Sequence, residues 1–428
     1  MPTSSGEAIT AVTQHRWEAA LGHVRADALD CLQTSMALIA EHAYGAGAHL
    51  VLGCHRRLGA GRTDGITSVL RPPAQRLREA SDLLGLRTSG QWSRLDGSAT
   101  RRLYTGPGPL YVVADAYDLP WLPYAGHQHM EHGFLLEAGE DGWTVVDAYH
   151  NDTAWGPARP GAWTVTAGLL DRALGNGASV ADLRPAAAAP ALDTAAVIAG
   201  NAARARAGAP EIEHYITDVR AQLDRPGAAE QLVLDIWLLG REQLLHTAWL
   251  AEHAQQPRAG AEARDRAAAW RQLAAQSYVA LRRARRGTPM SAAVVDGLRE
   301  VLYADMAATA RLAPAPDTPE AAPADPHGRR DPQDLRVPGG PGGVSGLRET
   351  VVGELSTVLG LDGPTVAAAT ALRDLPGFNS FRLVDVIDRV EARLGVQVPG
   401  RISAKDLHDV DSLCGLFAAG TVPADGKR

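Results

Sequence analysis

A segment rich in proline and glycine divides this chain into two parts that must fold separately. Residues 312–345 contain eight prolines, several glycines and scattered charges, with no apolar periodicity. Proline and glycine in such numbers oppose regular structure, and no apolar stripe is present for a core to bury. We therefore predict a linker at 312–345, which would hold the two parts at an effective mutual concentration of order millimolar.

Composition excludes several classes of protein. The net charge of −7 over 428 residues argues against a general nucleic-acid binder. The sequence has no apolar run suited to crossing a membrane and no basic segment followed by an apolar run at its start. Three cysteines do not make a disulfide framework. We expect a cytoplasmic protein without nucleic-acid or membrane partners.

The part after the linker has the pattern of a small helical module at 346–420. Apolar residues spaced three and four apart predict amphipathic helices that bury their stripes against one another. A last helix is predicted around 404–418. The predicted stripes are Leu347, Val351, Leu355, Val358 and Leu359 in one helix, and Leu383, Val384, Ile387, Val390 and Leu394 in another.

Ser380 stands at the head of the second of these helices, within residues 374–383. This stretch and the whole module resemble an acyl or peptidyl carrier domain, which is a four-helix fold. The resemblance implies that Ser380 carries covalent 4'-phosphopantetheine and that a phosphopantetheinyl transferase attaches it. Asn379 stands where the family usually has Asp, and Asn caps a helix equally well.

The part before the linker mixes helix and strand up to about residue 185. A helix is predicted from about Asp30 to Gly45 and a strand at 110–114. Strands at 133–138 and 143–148 flank an Asp-Gly turn, which is a strong hairpin signal.

Residues 186–311 form a predicted helical extension, with long periodic segments at 231–250, 261–285 and 290–311. Thr288 followed by Pro289 is a good helix start for the last of these. Arg282, Arg283 and their neighbours could dock an acidic carrier, but we favour a solvated surface for this run.

Three residues of the N-terminal part could form a nucleophilic site. Cys31 opens the predicted helix, where the dipole and free backbone amides favour a thiolate and could hold an oxyanion. His132 precedes the first hairpin strand and Asp147 ends the second, so the hairpin could bring them together as base and orienting acid. We predict a Cys31–His132–Asp147 triad with a lowered cysteine pKa.

The order of these residues resembles papain-like cysteine enzymes. Residues 30–37 and 132–136 are also similar to the butirosin-biosynthesis acyltransferase family and to bacteriocin-exporter leader peptidases. The acyltransferase resemblance implies an α+β papain-like domain at 1–185, followed by the helical extension, and transfer of an acyl group from a carrier protein to an amine. Papain-like peptidases often have Gln before the Cys as oxyanion donor; none lies in 22–30, which leaves His23, Gln33 or backbone amides.

Other interpretations remain open for these residues. A lone Cys is most often a small buried apolar residue, as we expect for Cys54 and Cys414. His127, His129 and His132 resemble the histidine signature of metallo-β-lactamase-like hydrolases and could ligate zinc with His150 or His214. Because a strand follows this motif where those hydrolases have a helix, we predict no metal site.

The expected function is a carrier-fused cysteine acyltransferase of natural-product biosynthesis, such as antibiotic assembly. A partner ligase or synthase would load an acyl or aminoacyl group, Cys31 would accept it, and an amine-bearing small molecule would receive it. The alternatives are a thioesterase, or a non-catalytic scaffold that presents its carrier to partner enzymes. A dry acceptor pocket near Trp121, Tyr124 and Trp155 would favour transfer over hydrolysis.

Overall fold

The computed structural model describes residues 9–12, 15–63, 65–106, 108–139, 142–253, 259–313, 344–378, 380–398 and 408–421. Most of the predicted linker, Asn379 and the predicted start of the last helix near 404 lie outside them. The chain divides into two compact units. One comprises Met1–Ile198 and Pro210–Ser277, and the other comprises Ala199–Ala209 and Tyr278–Arg428.

The first unit is built on an antiparallel sheet of seven strands in the order β1-β10-β7-β6-β5-β11-β4. Two-stranded ribbons, β2-β3 and β8-β9, lie outside it. The described strands are β1 (Thr10–Ala11), β2 (Gly61–Thr63), β3 (Ile66–Ser68), β4 (Leu86–Leu95), β5 (Leu110–Asp115), β6 (Glu131–Gly139), β7 (Gly142–Asp147), β8 (Asn151–Thr153), β9 (Gly156–Ala158), β10 (Gly161–Val165) and β11 (Ala178–Pro185).

Helices alternate with these strands in the first unit and continue after them. The described α-helices are α1 (Glu18–His23), α2 (Cys31–Tyr44), α3 (Pro73–Leu84), α4 (Gly97–Leu103), α5 (Ala167–Ala173), α6 (Thr194–Ala207), α7 (Ala209–Gln222), α8 (Ala228–His253), α9 (Ala259–Ala284), α10 (Ala292–Ala310), α11 (Val344–Leu359), α12 (Gly363–Ala368), α13 (Ser380–Leu394) and α14 (Val410–Ala418). None of the described helices has an apolar stretch that could span a membrane.

Helix α2 is the central helix of the first unit, and its predicted bounds are confirmed. Asp30 caps it, and Gly45 ends it with a positive φ of 95° that favours glycine. The residues from Cys31 to Glu41 are all buried. The predicted hairpin is also confirmed as β6 and β7, paired from Leu135–Val146 to Gly139–Gly142.

Helices α7 and α8 belong to the same compact unit as the sheet. Asp235 of α8 accepts hydrogen bonds from Ser68 Oγ at 2.8 Å and from Tyr215 Oη at 2.7 Å. A Cβ at Gly53 would lie 2.7 Å from the Leu245 carbonyl, so glycine permits close approach of this loop to α8. The domain boundary predicted between residues 185 and 186 stays a prediction. These contacts connect helices α7 and α8 to the part of the chain that forms the strands.

The second unit contains the four helices α11 to α14 of the predicted module. Their apolar stripes pack into one core, as the spacing predicts. The buried residues of this core include Val351, Leu355, Leu372, Val384, Val386, Ile387, Val390, Leu413 and Phe417.

Two details of the helical predictions are wrong. Leu394 is exposed, because it is the last residue of α13 and lies beyond the packed stripe. Helix α10 begins after Ser291 rather than at Thr288, since the Thr288 amide instead bonds back to the Arg283 carbonyl in the turn that ends α9.

Candidate functional site

Cys31 is placed by the cap of α2. The Asp30 carboxylate accepts hydrogen bonds from the Leu32 and Gln33 amides at 3.0 and 2.8 Å, and the Gln33 side chain accepts from the Asp30 amide at 3.3 Å. This reciprocal capping box fixes the first turn of the helix. The other Asp30 oxygen is paired with Arg76, which is buried and also bonded to Glu79. Cys31 therefore opens α2 in a rigid turn.

The first turns of α2 lie against β6 next to His132. Cys31 Sγ donates to the Glu131 carbonyl at 3.4 Å, and Ser35 Oγ donates to the Gly133 carbonyl at 3.1 Å. Both carbonyls precede the first β6–β7 pair, Leu135–Val146, so they are free to accept from the helix. A Cβ at Gly133 would lie 3.0 Å from the Cys31 carbonyl. Glycine after the histidine thus lets the cysteine helix reach the strand.

His132 and Asp147 meet as the hairpin predicted. The β6–β7 register puts 132, 134 and 136 on the same sheet face as 145 and 147. His132 Nε2 lies 2.7 Å from Asp147 Oδ2, and both side chains are buried. Because a carboxylate only accepts, Nε2 carries the hydrogen of this bond, and in the neutral imidazole Nδ1 is then the nitrogen with the lone pair. Nδ1 is buried and has no hydrogen-bond partner among the residues that the structure describes.

The other side of this pair is held by tyrosines. The second Asp147 oxygen accepts from the Tyr149 amide at 2.9 Å, and the Tyr149 ring meets His132 edge to face at 5.2 Å. The Tyr149 hydroxyl lies 3.3 Å from that of Tyr124, which accepts from Asn151 at 2.9 Å. The carboxylate and the imidazole are therefore fixed in orientation by packing as well as by their hydrogen bond.

The expectation of a lowered cysteine pKa is wrong. Burial raises the pKa of the Cys31 thiol well above its usual range, and the negative charges of Asp30 and Asp147 raise it further. The positive charge of Arg241 opposes this effect without reversing it. A helix dipole favours the thiolate, but Asp30 offsets it by occupying two first-turn amides. At rest Cys31 is a thiol, 9% exposed, and it is bonded to the carbonyl of Glu131, the residue before His132.

The candidate oxyanion donors differ in their suitability. The Gln33 side chain is engaged in the capping box through its oxygen, and His23 is exposed at the end of α1. Asp30 occupies the amides of Leu32 and Gln33, and the Thr34 amide bonds to the Asp30 carbonyl. These bonds do not use the backbone amide of Cys31, which also lies in the first turn. Among the candidates, a backbone amide is therefore the favoured donor to an oxyanion.

Arg241 of α8 is a site residue that sequence reasoning missed. Its guanidinium donates to the carbonyls of Ala26 at 2.8 Å and of Leu29, before Cys31, and to the carbonyl of His150, after Asp147. It lies over the Trp237 ring at 4.1 Å and is buried. One side chain therefore ties together the two segments that carry Cys31 and Asp147. A single arginine in a long helix carries no signal of this role in the sequence.

The histidines of the metal alternative point to different partners. His129 pairs with Asp115 at 2.6 Å and stacks on Tyr117, His127 stacks on Trp155, and His132 pairs with Asp147. Within the described part of the chain, no cluster of three or more metal-ligating side chains is found. This geometry gives zinc chemistry no support at the motif.

The aromatic residues that could form an acceptor pocket make ring contacts near the His132–Asp147 pair. Trp121 packs edge to face on Phe134 at 5.1 Å, and Tyr124 meets Trp155 at 5.9 Å. Tyr124 is buried while Trp155 is partly exposed. A series of ring contacts thus leads from His132 through Tyr149 and Tyr124 to a tryptophan at the surface.

Ser380 opens α13 in the second unit. The turn before it, Pro376–Gly377, is exposed, and Gly377 has a positive φ of 73°. Ser356 of α11 has a buried hydroxyl, and Ser412 lies within the first turn of α14. An exposed turn leading into Ser380 suits covalent attachment of a long polar arm, whereas the Ser356 hydroxyl is closed to it.

The comparisons with known proteins concern this second unit. No curated protein matches the chain. Residues 349–416 match the family model of the phosphopantetheine attachment site. The C-terminal part of the chain is therefore a carrier domain, whose covalently attached cofactor on a serine is 4'-phosphopantetheine, and such a domain is served by a phosphopantetheinyl transferase and by loading enzymes.

Proposed function

We propose that the chain is a carrier-fused cysteine acyltransferase, with a papain-like N-terminal domain and Ser380 as the attachment point of its carrier. Cys31 accepts an acyl or aminoacyl group, and an amine-bearing small molecule then receives it. The setting is natural-product assembly, where partner enzymes modify and load the carrier. Loaded 4'-phosphopantetheine supplies the acyl group as a thioester.

One observation carries the proposal. His132 Nε2 is bound to Asp147, its Nδ1 is buried and open, and Cys31 Sγ donates to the backbone carbonyl of the preceding residue, Glu131. Nucleophilic catalysis by a thiol requires a base that an acid orients, and Cys31, His132 and Asp147 supply these three groups. A buried imidazole nitrogen without a partner is costly in a structural core, so its presence supports a chemical role.

The raised cysteine pKa indicates how the thiol would be activated. Because the Cys31 thiol holds its proton at rest, His132 Nδ1 must take that proton as Sγ attacks the acyl carbonyl. The new Cys31 S–C bond replaces the thioester C–S bond of the donor, and the imidazolium returns the proton to the departing thiolate. Asp147 stabilises the imidazolium while it exists. The exchange of one thioester for another is nearly thermoneutral, so positioning is the main contribution.

The second half-reaction uses the same residues in the same roles. His132 Nδ1 takes a proton from the incoming amine as its nitrogen bonds to the acyl carbon. The C–S bond to Cys31 breaks, and the proton passes to Sγ and restores the thiol. Water in place of the amine would make the same site a thioesterase.

A non-catalytic scaffold is the second candidate. The burial of Cys31, at 9% exposure, favours it, since a nucleophile must be reached by its substrate. The open nitrogen of His132 favours catalysis instead, because a scaffold has no use for it.

The test measures turnover of the full chain after modification and loading. In Cys31→Ala the carrier should load normally, but transfer of the acyl group to an added primary amine should be lost. Cys54→Ala, which removes another buried cysteine outside any disulfide, should keep that transfer activity. Release of free acid at the same rate with and without amine would identify the thioesterase. Full turnover in Cys31→Ala would refute a cysteine mechanism and favour the scaffold.

A further inference from the structure

The end of helix α9 and the turn after it present one valine and three arginines. Arg282 and Arg283 follow Val279 by three and four residues, so these three share a face of α9, and Arg286 lies in the turn after the helix. All lie in the second compact unit, from Tyr278 onward. The expectation that this arginine run is a solvated surface is wrong, because each of the three arginines has a carboxylate partner.

The partners are three acidic residues of carrier helix α13, spaced three apart. Arg282 bonds to Asp388 at 2.8 Å and to Asp385 at 3.0 Å. Arg283 pairs with Glu391, and Arg286 pairs with Asp388 at 2.9 Å. Each of the three arginines therefore has a carboxylate partner on α13.

Two of these three carboxylates are buried where they meet the arginines. Asp388 and Glu391 are 6% and 5% exposed, which for acidic side chains requires close pairing. Arg283 also donates to the Val398 carbonyl at 3.2 Å, and Val279 joins the apolar core of the carrier. The contact thus has an apolar centre with charges around it, which is the pattern of a recognition surface.

We propose that residues 278–286 are a docking surface for the chain's own carrier domain. This surface holds the carrier domain at rest, and the carrier domain leaves it to deliver its acyl group. Val279 is the apolar residue of the α9 stripe in the shared core, and the specific contacts are ion pairs. Arg286 is 48% exposed, so water and salt reach the edge of the contact. A charge-based contact of this kind gives specificity and is weakened by ionic strength.

The test cuts the full chain once, at a protease site placed within 314–343, and measures by gel filtration whether the carrier fragment stays bound. At low salt the wild-type carrier should remain associated, and it should separate at high salt. Arg282→Glu with Arg283→Glu should weaken the association by at least about 100-fold. The matched control, Arg264→Glu with Arg271→Glu, makes the same charge change at exposed positions of α9 and should have no effect.

Exchanging the charges on both sides of the contact is the control for a variant that simply fails to fold. Adding Asp388→Arg and Glu391→Arg to the reversed arginines restores opposite charges and should recover most of the binding. Arg286→Glu alone, at the exposed edge, should give a smaller loss with no change in helix content. Separation of the wild-type fragments at low salt, or equal binding of the charge-reversed and wild-type chains, would overturn the proposal.

Discussion

The two candidate reactive residues each open a helix, but in opposite surroundings. Cys31 begins α2 inside a capping box, packed on β6, with its thiol pKa raised by burial and by two carboxylates. Ser380 begins α13 after the exposed turn Pro376–Gly377. The first arrangement holds the cysteine in a buried turn, and the second places the serine after an exposed turn. A helix start by itself does not decide reactivity.

The contrast also shows which effect dominates at α2. A helix N-terminus stabilises a nearby anion by about 0.3–1 kcal/mol at exposed sites. Burial without a partner costs an anion several times as much, and Asp30 adds a negative charge beside the thiol. In the proposed reaction, activation of Cys31 therefore comes from proton transfer to His132.

The largest expected effect is at Ser380, the start of α13. Ser380→Ala should abolish modification by a phosphopantetheinyl transferase with coenzyme A, because the acceptor hydroxyl is gone. Intact-protein mass spectrometry should show one added arm on the wild type and none on this variant. Ser356→Ala and Ser412→Ala are the controls, and loss of the arm in either of them with retention in Ser380→Ala would move the attachment point.

At the closed site, Cys31→Ala and His132→Ala should each lower acyl transfer by about 10³-fold or more while loading is unchanged. Similar losses are expected because residues that act as a unit do not contribute additively. Asp147→Ala should lose less, since Asp147 orients His132 and does not react. Single-turnover kinetics on the loaded carrier would measure the order, and a greater loss in Asp147→Ala than in His132→Ala would contradict these roles.

Arg241→Met should destabilise the first unit by roughly 2–4 kcal/mol, because three buried carbonyls lose their charged donor. Denaturant unfolding measures the change. Arg87→Met, at an exposed position, should stay within about 0.5 kcal/mol of the wild type. Arg241→Lys keeps the charge and cannot span all three carbonyls, so stability recovered fully by Lys would argue against the clamp.

The smallest effect concerns pH. With its pKa raised, Cys31 should react with iodoacetamide slowly near neutral pH and faster only in alkali. Asp147→Asn removes a negative charge, lowers the thiol pKa and should speed alkylation several-fold at pH 8. The contribution of the Cys31 thiol to the free energy of unfolding is fully present below about pH 8.5. It declines above that pH, because the thiol ionises at a lower pH in the unfolded chain than in the folded one. Alkylation that is already maximal at pH 7 would contradict the raised pKa.

The sequence predicted well what depends on neighbouring residues. The bounds of α2 follow from Asp30 and Gly45, and the β6–β7 hairpin follows from alternation around a turn. The hairpin in turn predicted the His132–Asp147 contact, because residues on one face of paired strands come together. The carrier core likewise follows from helical spacing.

What the sequence did not predict depends on contacts between distant segments. The raised pKa of Cys31 comes from burial and from the placement of Asp147, more than a hundred residues away in the chain. Arg241 reaches carbonyls on two other segments, and the arginines of α9 meet acids of α13. Each is an ordinary residue in its local sequence, so only the fold reveals its role.

The central claim is that the acyl group passes through Cys31. The most direct measurement is peptide mass spectrometry of the full chain, quenched in acid soon after loading and before an amine is added. The account predicts the acyl mass on the peptide that contains Cys31 as well as on the carrier, and no acyl mass on that peptide in Cys31→Ala. Acyl mass confined to the carrier peptide, together with full transfer on later addition of amine, would contradict it.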